Sequence, residues 1–209
     1  LIILPTLNDN VSAVSASAAI MVFQEALLRN RHGGNVGYPR VGLSTLMGDA
    51  ATRYIQSHGG ELLLEKTVTR ILVEDSNVIG IQLSGNQTIQ GDAYISALPF
   101  NSLLPVLPPE LAQVPYFSQV QALESSPIVG IHIWYDRPVL SEKFFAVLDS
   151  PLQWVFNDTE LKTQNSDAGT GNTQHVVISL SGAWEWQDRS KQELRDIFTA
   201  EMEKVFPAA

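Results

Sequence analysis

The sequence contains no cysteine. That removes disulfides, thiolate metal sites and a cysteine nucleophile together. Cations are scarce: Lys and Arg number 13 against 22 Asp and Glu, giving a formal net charge of −9. No basic cluster interrupts that balance, so a surface that tracks nucleic-acid phosphates is not expected. Long hydrophobic runs are missing too. The longest uncharged apolar segments, around Ala18–Phe23 and Pro127–Tyr135, fall far short of the about 20 residues that span a membrane. There is no GxGxxG, P-loop, HExxH or GxSxG. Gly169-Thr170-Gly171 is the only GxG, and it lies in a polar stretch. The chain therefore carries no self-sufficient signature of a dinucleotide cradle, a zinc hydrolase or a serine nucleophile.

The 209 residues, 44% hydrophobic and 17% charged, are enough to bury a real core. Val11 to about Arg31 has no Gly or Pro and a wide apolar stripe, which predicts a helix closing at Arg31-His32-Gly33-Gly34. Leu43, Leu46, Met47, Ala50, Ala51, Tyr54 and Ile55 recur at helical spacing, with Ser44 as the expected N-cap and His58-Gly59-Gly60 as the end.

The organising stretch follows. Thr67–Glu74, Val78–Leu83 and Ala93–Ala97 read as strands separated by Asp75-Ser76-Asn77 and Ser84-Gly85-Asn86. Beyond Pro99 come a single helical turn near Glu110–Val114 and further strands at Pro127–Tyr135, Phe144–Leu148, Gln153–Phe156 and His175–Leu180. A C-terminal helix opens on a Ser190/Glu193 capping box. Asn157–Gln174 reads as a mobile surface loop. The order predicts an α+β fold whose sheet is mainly antiparallel or mixed, with flanking helices. Residues 1–99 form a helical pair plus strand meander, and residues 100–209 a sheet with its C-terminal helix, packed as one compact unit.

Catalytic residues are not identified by these patterns, and no metal site is expected. The four histidines are isolated in sequence. His32 and His58 are explained as cations at helix C-termini. The aromatics come mostly at strand spacing, which suits core packing first and an apolar ligand groove second.

One run of signals resembles a known family. It comprises Tyr38-Pro39-Arg40-Val41-Gly42-Leu43-Ser44-x-Leu46, Gly59-Gly60-Glu61, Val68-x-x-Ile71, Val78-x-Gly80-Ile81-x-Leu83, Gly91-Asp92-Ala93 and Ala97-Leu98-Pro99. Together these are similar to the middle of FAD-dependent amine-oxidase and phytoene-desaturase-like flavoproteins. Leu7-Asn8, Ser126-Pro127-Ile128, Trp134-Tyr135-Asp136-Arg137-Pro138, Gln153-Trp154-Val155-Phe156 and Val177-Ile178-Ser179 resemble the squalene-associated branch, the hydroxysqualene dehydroxylases. Carotenoid desaturases share the Pro39-Arg40 and Gly59-Gly60 signals, so both branches stay open.

The resemblance implies the substrate-binding portion of a two-domain FAD oxidoreductase acting on a C30 or C40 isoprenoid. It implies cofactor contacts at Val68 (backbone, adenine end), Pro39, Arg40 and Gly42 (flavin side), and Ala97 and Pro99 (the crossing to the nucleotide domain). Trp134, Trp154 and Phe156 are the implied substrate contacts. The family's dinucleotide fingerprint is not in these residues, so the chain reads as an internal fragment, inactive alone. Its partners are an apolar isoprenoid and an FAD-binding domain of the same protein. The expected location is cytoplasmic or peripheral to a membrane. A non-catalytic α+β binding module, with the aromatic sheet as a protein interface, is the alternative.

Overall fold

The computed structural model describes residues 2–161 and 173–207. The first elements are helices α1 (Ile3–Leu7), α2 (Ala16–Phe23) and α3 (Ala50–Ser57), and strands β1 (Val68–Glu74), β2 (Asn77–Leu83) and β3 (Thr88–Ile89). Short helices α4 (Phe100–Leu103), α5 (Pro109–Ala112) and α6 (Pro115–Ser118) come next. The remainder is β4 (Val129–Tyr135), β5 (Phe144–Ala146), β6 (Trp154–Asn157), α7 (Asp158–Leu161), β7 (Gln174–Leu180) and α8 (Lys191–Val205). The fold is α+β, with antiparallel pairing throughout both sheets. Among the described residues no helix is long and apolar enough to cross a membrane.

The chain groups into two compact units, Leu1–Arg53 with Ser126–Ala209, and Tyr54–Ser125. The break drawn from the sequence after Pro99 lies inside the second unit.

In the first unit a four-stranded sheet runs β4-β7-β6-β5. Alternation along β7 buries Val176, Ile178 and Leu180 completely and turns His175, Val177 and Ser179 to the other face. Val155 from β6, Leu152, and Phe198 and Met202 from α8 complete a core with no exposed surface. Helix α8 forms where predicted. Ser190 Oγ accepts from the Glu193 N–H at 3.3 Å, and Glu193 Oε2 accepts from the Ser190 N–H at 2.9 Å. The N-terminus is clasped to the end of this sheet. Asn8, at φ 57°, closes α1 and donates to Ser126 O at 2.9 Å, while its Oδ1 accepts from Gly182 N–H at 3.1 Å.

In the second unit β1, β2 and β3 form a meander. Asp75 (φ 48°) and Ser76 (φ 65°) make the two-residue turn that joins β1 to β2. Space is tight at Gly80, where a Cβ would stand 3.1 Å from Ile89 O.

Five expectations differ from the structure. The predicted third strand, Ala93–Ala97, is not a strand; its alternation is that of an extended chain, but no described strand pairs with it, and Ile95 is 96% exposed. The short β3 takes its place. The helix predicted over residues 11–31 begins at Ala16 and ends in a π turn, Gln24–Leu28. Ser44 is no N-cap: it opens a π turn, Ser44–Asp49, that runs into α3. His32 does not bond a helix carbonyl; its Nε2 accepts from Arg31 Nε–H at 2.8 Å. His58 stands at the end of α3, with Nδ1 at 2.9 Å from Tyr54 O. Finally, the segment read as a loop is ordered at both ends. Asn157 is fully buried and caps α7 by accepting from Glu160 N–H, and Gln174 begins β7. Residues 162–172, with Gly169 and Gly171, lie outside the described residues.

Candidate functional site

The outer face of the four-stranded sheet, opposite α8, gathers the predicted substrate residues. Register fixes its rows. His132, Val177, Phe156 and Phe144 lie across the sheet in one row; Gly130, Ser179, Trp154 and Ala146 form the next. Trp154 stacks beside Phe156 with ring centroids 6.2 Å apart, and Phe144 stands 6.3 Å from each. Trp134 shares the face, two strands from Phe156, and so roughly 10 Å away. It is 69% exposed. All three predicted residues are thus on one surface, but only Trp154 and Phe156 touch.

The predicted cofactor residues divide between the units. Pro39, Arg40 and Gly42 lie in the irregular segment leading to α3. Their neighbour Tyr38 packs edge-on against Phe144 at 6.0 Å, and its hydroxyl accepts from Lys143 Nζ–H at 3.0 Å. The turn assigned to the flavin side therefore adjoins the aromatic face within one unit.

Val68, Ala97 and Pro99 belong to the second unit. Val68 starts β1, which stands at the edge of its sheet, so one row of backbone groups is left unpaired by that sheet. A register shift follows between Val68 and Arg70. Val68 and Ala97 line an apolar cavity of ≈730 Å³ together with Ile71, Ile81, Leu98 and Phe117. Pro99 precedes α4 in extended geometry.

Sequence reading missed the polar feature of the aromatic face. His132 and His175 were taken as isolated, yet His132 Nδ1 lies 3.0 Å from His175 Nε2. His175 Nδ1 lies 3.0 Å from Asp158 Oδ2. The Trp134 ring stacks on His175 at 4.4 Å and 2°. The signal was available: His132 and Trp134 alternate outward on β4, and antiparallel pairing with β7 puts His175 opposite Trp134. Among the described residues no group of three or more His, Asp or Glu could hold a metal ion.

Solved structures share this architecture. An oxidoreductase from Methanosarcina mazei superposes on 76% of this chain and 38% of its own, with TM-score 0.57 and 17% identity. Reduced UDP-galactopyranose mutase covers 81% of this chain and 37% of its own, with TM-score 0.54 and 13% identity. At those identities the likeness is one of fold. In sequence, residues 6–209 match the flavin containing amine oxidoreductases, and the chain belongs to that family. It is 31% identical over 160 residues to the 15-cis-phytoene desaturase of Synechococcus elongatus, covering 74% of this chain and 33% of that protein. The Arabidopsis thaliana 15-cis-phytoene desaturase is 27% identical over 190 residues, 90% of this chain and 33% of its own. The chain thus spans about a third of the length of these curated relatives.

Proposed function

We propose that this chain supplies the substrate-gripping part of an FAD-dependent oxidoreductase acting on a long isoprenoid, of the phytoene or hydroxysqualene type. The observation that carries this reading is the packing of Tyr38 on Phe144. It sets the Pro39–Gly42 turn beside the face built from Phe144, Trp154 and Phe156. An isoprenoid bound there needs few polar contacts, because each buried methylene contributes about 0.8 kcal/mol. FAD, when bound, would supply the hydride chemistry. The Pro39–Gly42 turn is the segment of this unit assigned to its flavin side.

Trp154→Ala tests the assignment in the flavin-loaded protein. Losing about 1–2 kcal/mol of apolar contact weakens isoprenoid binding by roughly ten-fold, while flavin absorbance per protein stays the same. Equal loss of both would mean that Trp154 serves folding, and the substrate face would be wrong. Product analysis with phytoene against hydroxysqualene separates the two substrates.

A further inference from the structure

We propose that Asp158, His175 and His132 form a hydrogen-bonded chain that presents one acceptor nitrogen, His132 Nε2, as an anchor for the hydroxyl of an isoprenoid alcohol. This deepens the isoprenoid reading and rests on it.

The argument starts from donors and acceptors. An ionised carboxylate only accepts, so the 3.0 Å contact of Asp158 Oδ2 assigns the proton of His175 to Nδ1. In the tautomer that carries this one proton, Nε2 of His175 is an acceptor. Its 3.0 Å partner, His132 Nδ1, must therefore be the donor. That leaves a lone pair on His132 Nε2, which has no hydrogen-bond partner among the described residues. The ring planes are fixed: Trp134 stacks on His175 at 4.4 Å, and His132 lies nearly parallel to His175 at 5.2 Å and 22°. Asp158 and His175 are positioning residues, with side chains 17% and 20% exposed.

The placement of that nitrogen defines its ligand. His132 ends the row Phe144, Phe156, Val177, His132, an apolar track three strand spacings or about 14 Å long. Beside it Gly130 leaves room: a Cβ there would first meet His132 Nε2, at 3.8 Å. A linear apolar chain lying along the row reaches Nε2 with its end. The group met there must donate a hydrogen bond. Strands β4, β5, β6 and β7 carry no Asp or Glu, and α7 contributes only Asp158 and Glu160. Asp158 is already engaged by His175. An ammonium would thus lose water without gaining a carboxylate among the described residues, whereas an alcohol loses little. The chemistry points to a prenyl alcohol.

The test titrates the chain with farnesol, farnesene and farnesylamine, following quenching of tryptophan fluorescence. Farnesol should bind wild type about five-fold tighter than farnesene. His132→Phe should bring that ratio to about one and leave farnesene affinity unchanged. Gly130→Val, which fills the space before Nε2, should do the same. Nitrogen-15 NMR should show both rings protonated at Nδ1, with Asp158→Asn shifting His175 towards Nε2–H. A preference for farnesol that survives His132→Phe overturns the proposal, as does a preference for farnesylamine or a His132 protonated at Nε2. If farnesene and farnesol bind the wild-type face equally well, the anchor alone falls. If none of the three binds, the isoprenoid reading falls with it.

Discussion

Gln174 is 5% exposed and holds together three buried backbone groups. Its Oε1 accepts from Val139 N–H at 2.8 Å and from Leu140 N–H at 3.0 Å, while Nε2–H donates to Leu140 O at 2.7 Å. Gln174→Met keeps the length of the side chain and removes every one of these bonds. Leu140 O retains a long bond from Asn157 Nδ2–H, at 3.4 Å. The two N–H groups retain no partner among the described residues, and each orphaned donor costs about 1–3 kcal/mol. Methionine returns a little apolar contact, so the net loss should be about 2–5 kcal/mol. Urea unfolding followed by tryptophan fluorescence measures it cleanly, because Trp134, Trp154, Trp184 and Trp186 all belong to the unit that contains Gln174. The midpoint should fall while the slope stays constant. A loss under about 1 kcal/mol, or a changed slope with no change in midpoint, would refute the premise that this amide pins residues 139–140 to the start of β7.

Phe198→Ala removes a fully buried ring that meets Trp186 edge-on at 5.2 Å; it should cost about 3–5 kcal/mol and shift the emission of Trp186. Ser190→Ala opens the capping box of α8 and should cost about 1 kcal/mol at neutral pH. The hydrogen bonds from the Ser190 side chain, and then from its backbone N–H, hold the Glu193 carboxyl below the usual glutamate range. Its contribution is therefore full above that range and is lost as pH falls through the lowered value. Acid titration should destabilise wild type more steeply than the Ser190→Ala variant. Tyr135 Oη is buried with no hydrogen-bond partner among the described residues, and burial raises its pKa. Tyr135→Phe should be neutral or stabilising by up to about 1 kcal/mol by thermal melt; a loss above that would reveal a partner.

What was legible in the sequence was whatever a local period or a single residue decides. Ile131 and Ile133 inward, with His132 and Trp134 outward, follows from alternation alone, and β4 has that pattern. The Ser190/Glu193 box and the turn at Asp75-Ser76 are equally local. The family was legible too, because motifs such as Pro39-Arg40 and Gly59-Gly60 are short and ordered. Long-range pairing was not. His132 and His175 are 43 positions apart and meet diagonally; only the β4–β7 register brings them together. Gln174 looked like the end of a polar loop, because nothing local shows that its amide will meet Val139 and Leu140.

Ile95 and Ile133 make the distinction concrete. Both sit in an apolar alternation of the same period, in segments rich in β-compatible residues. Ile133 finds Val176 across the β4–β7 ladder and is drawn into the core cluster. Ile95 has no ladder partner among the described residues and stays 96% exposed. Alternation therefore encodes which side chains share a face, while the hydrogen-bond partner decides whether that face becomes a sheet. The same division applies to the site. The sequence names the aromatic residues that one face will carry, but the chemistry of the face depends on what the neighbouring strand sets beside them. An aromatic row alone would hold any apolar chain. With His132 at the end of that row and His175 and Asp158 hydrogen-bonded behind it, the proposed anchor would let the face tell an alcohol from a hydrocarbon.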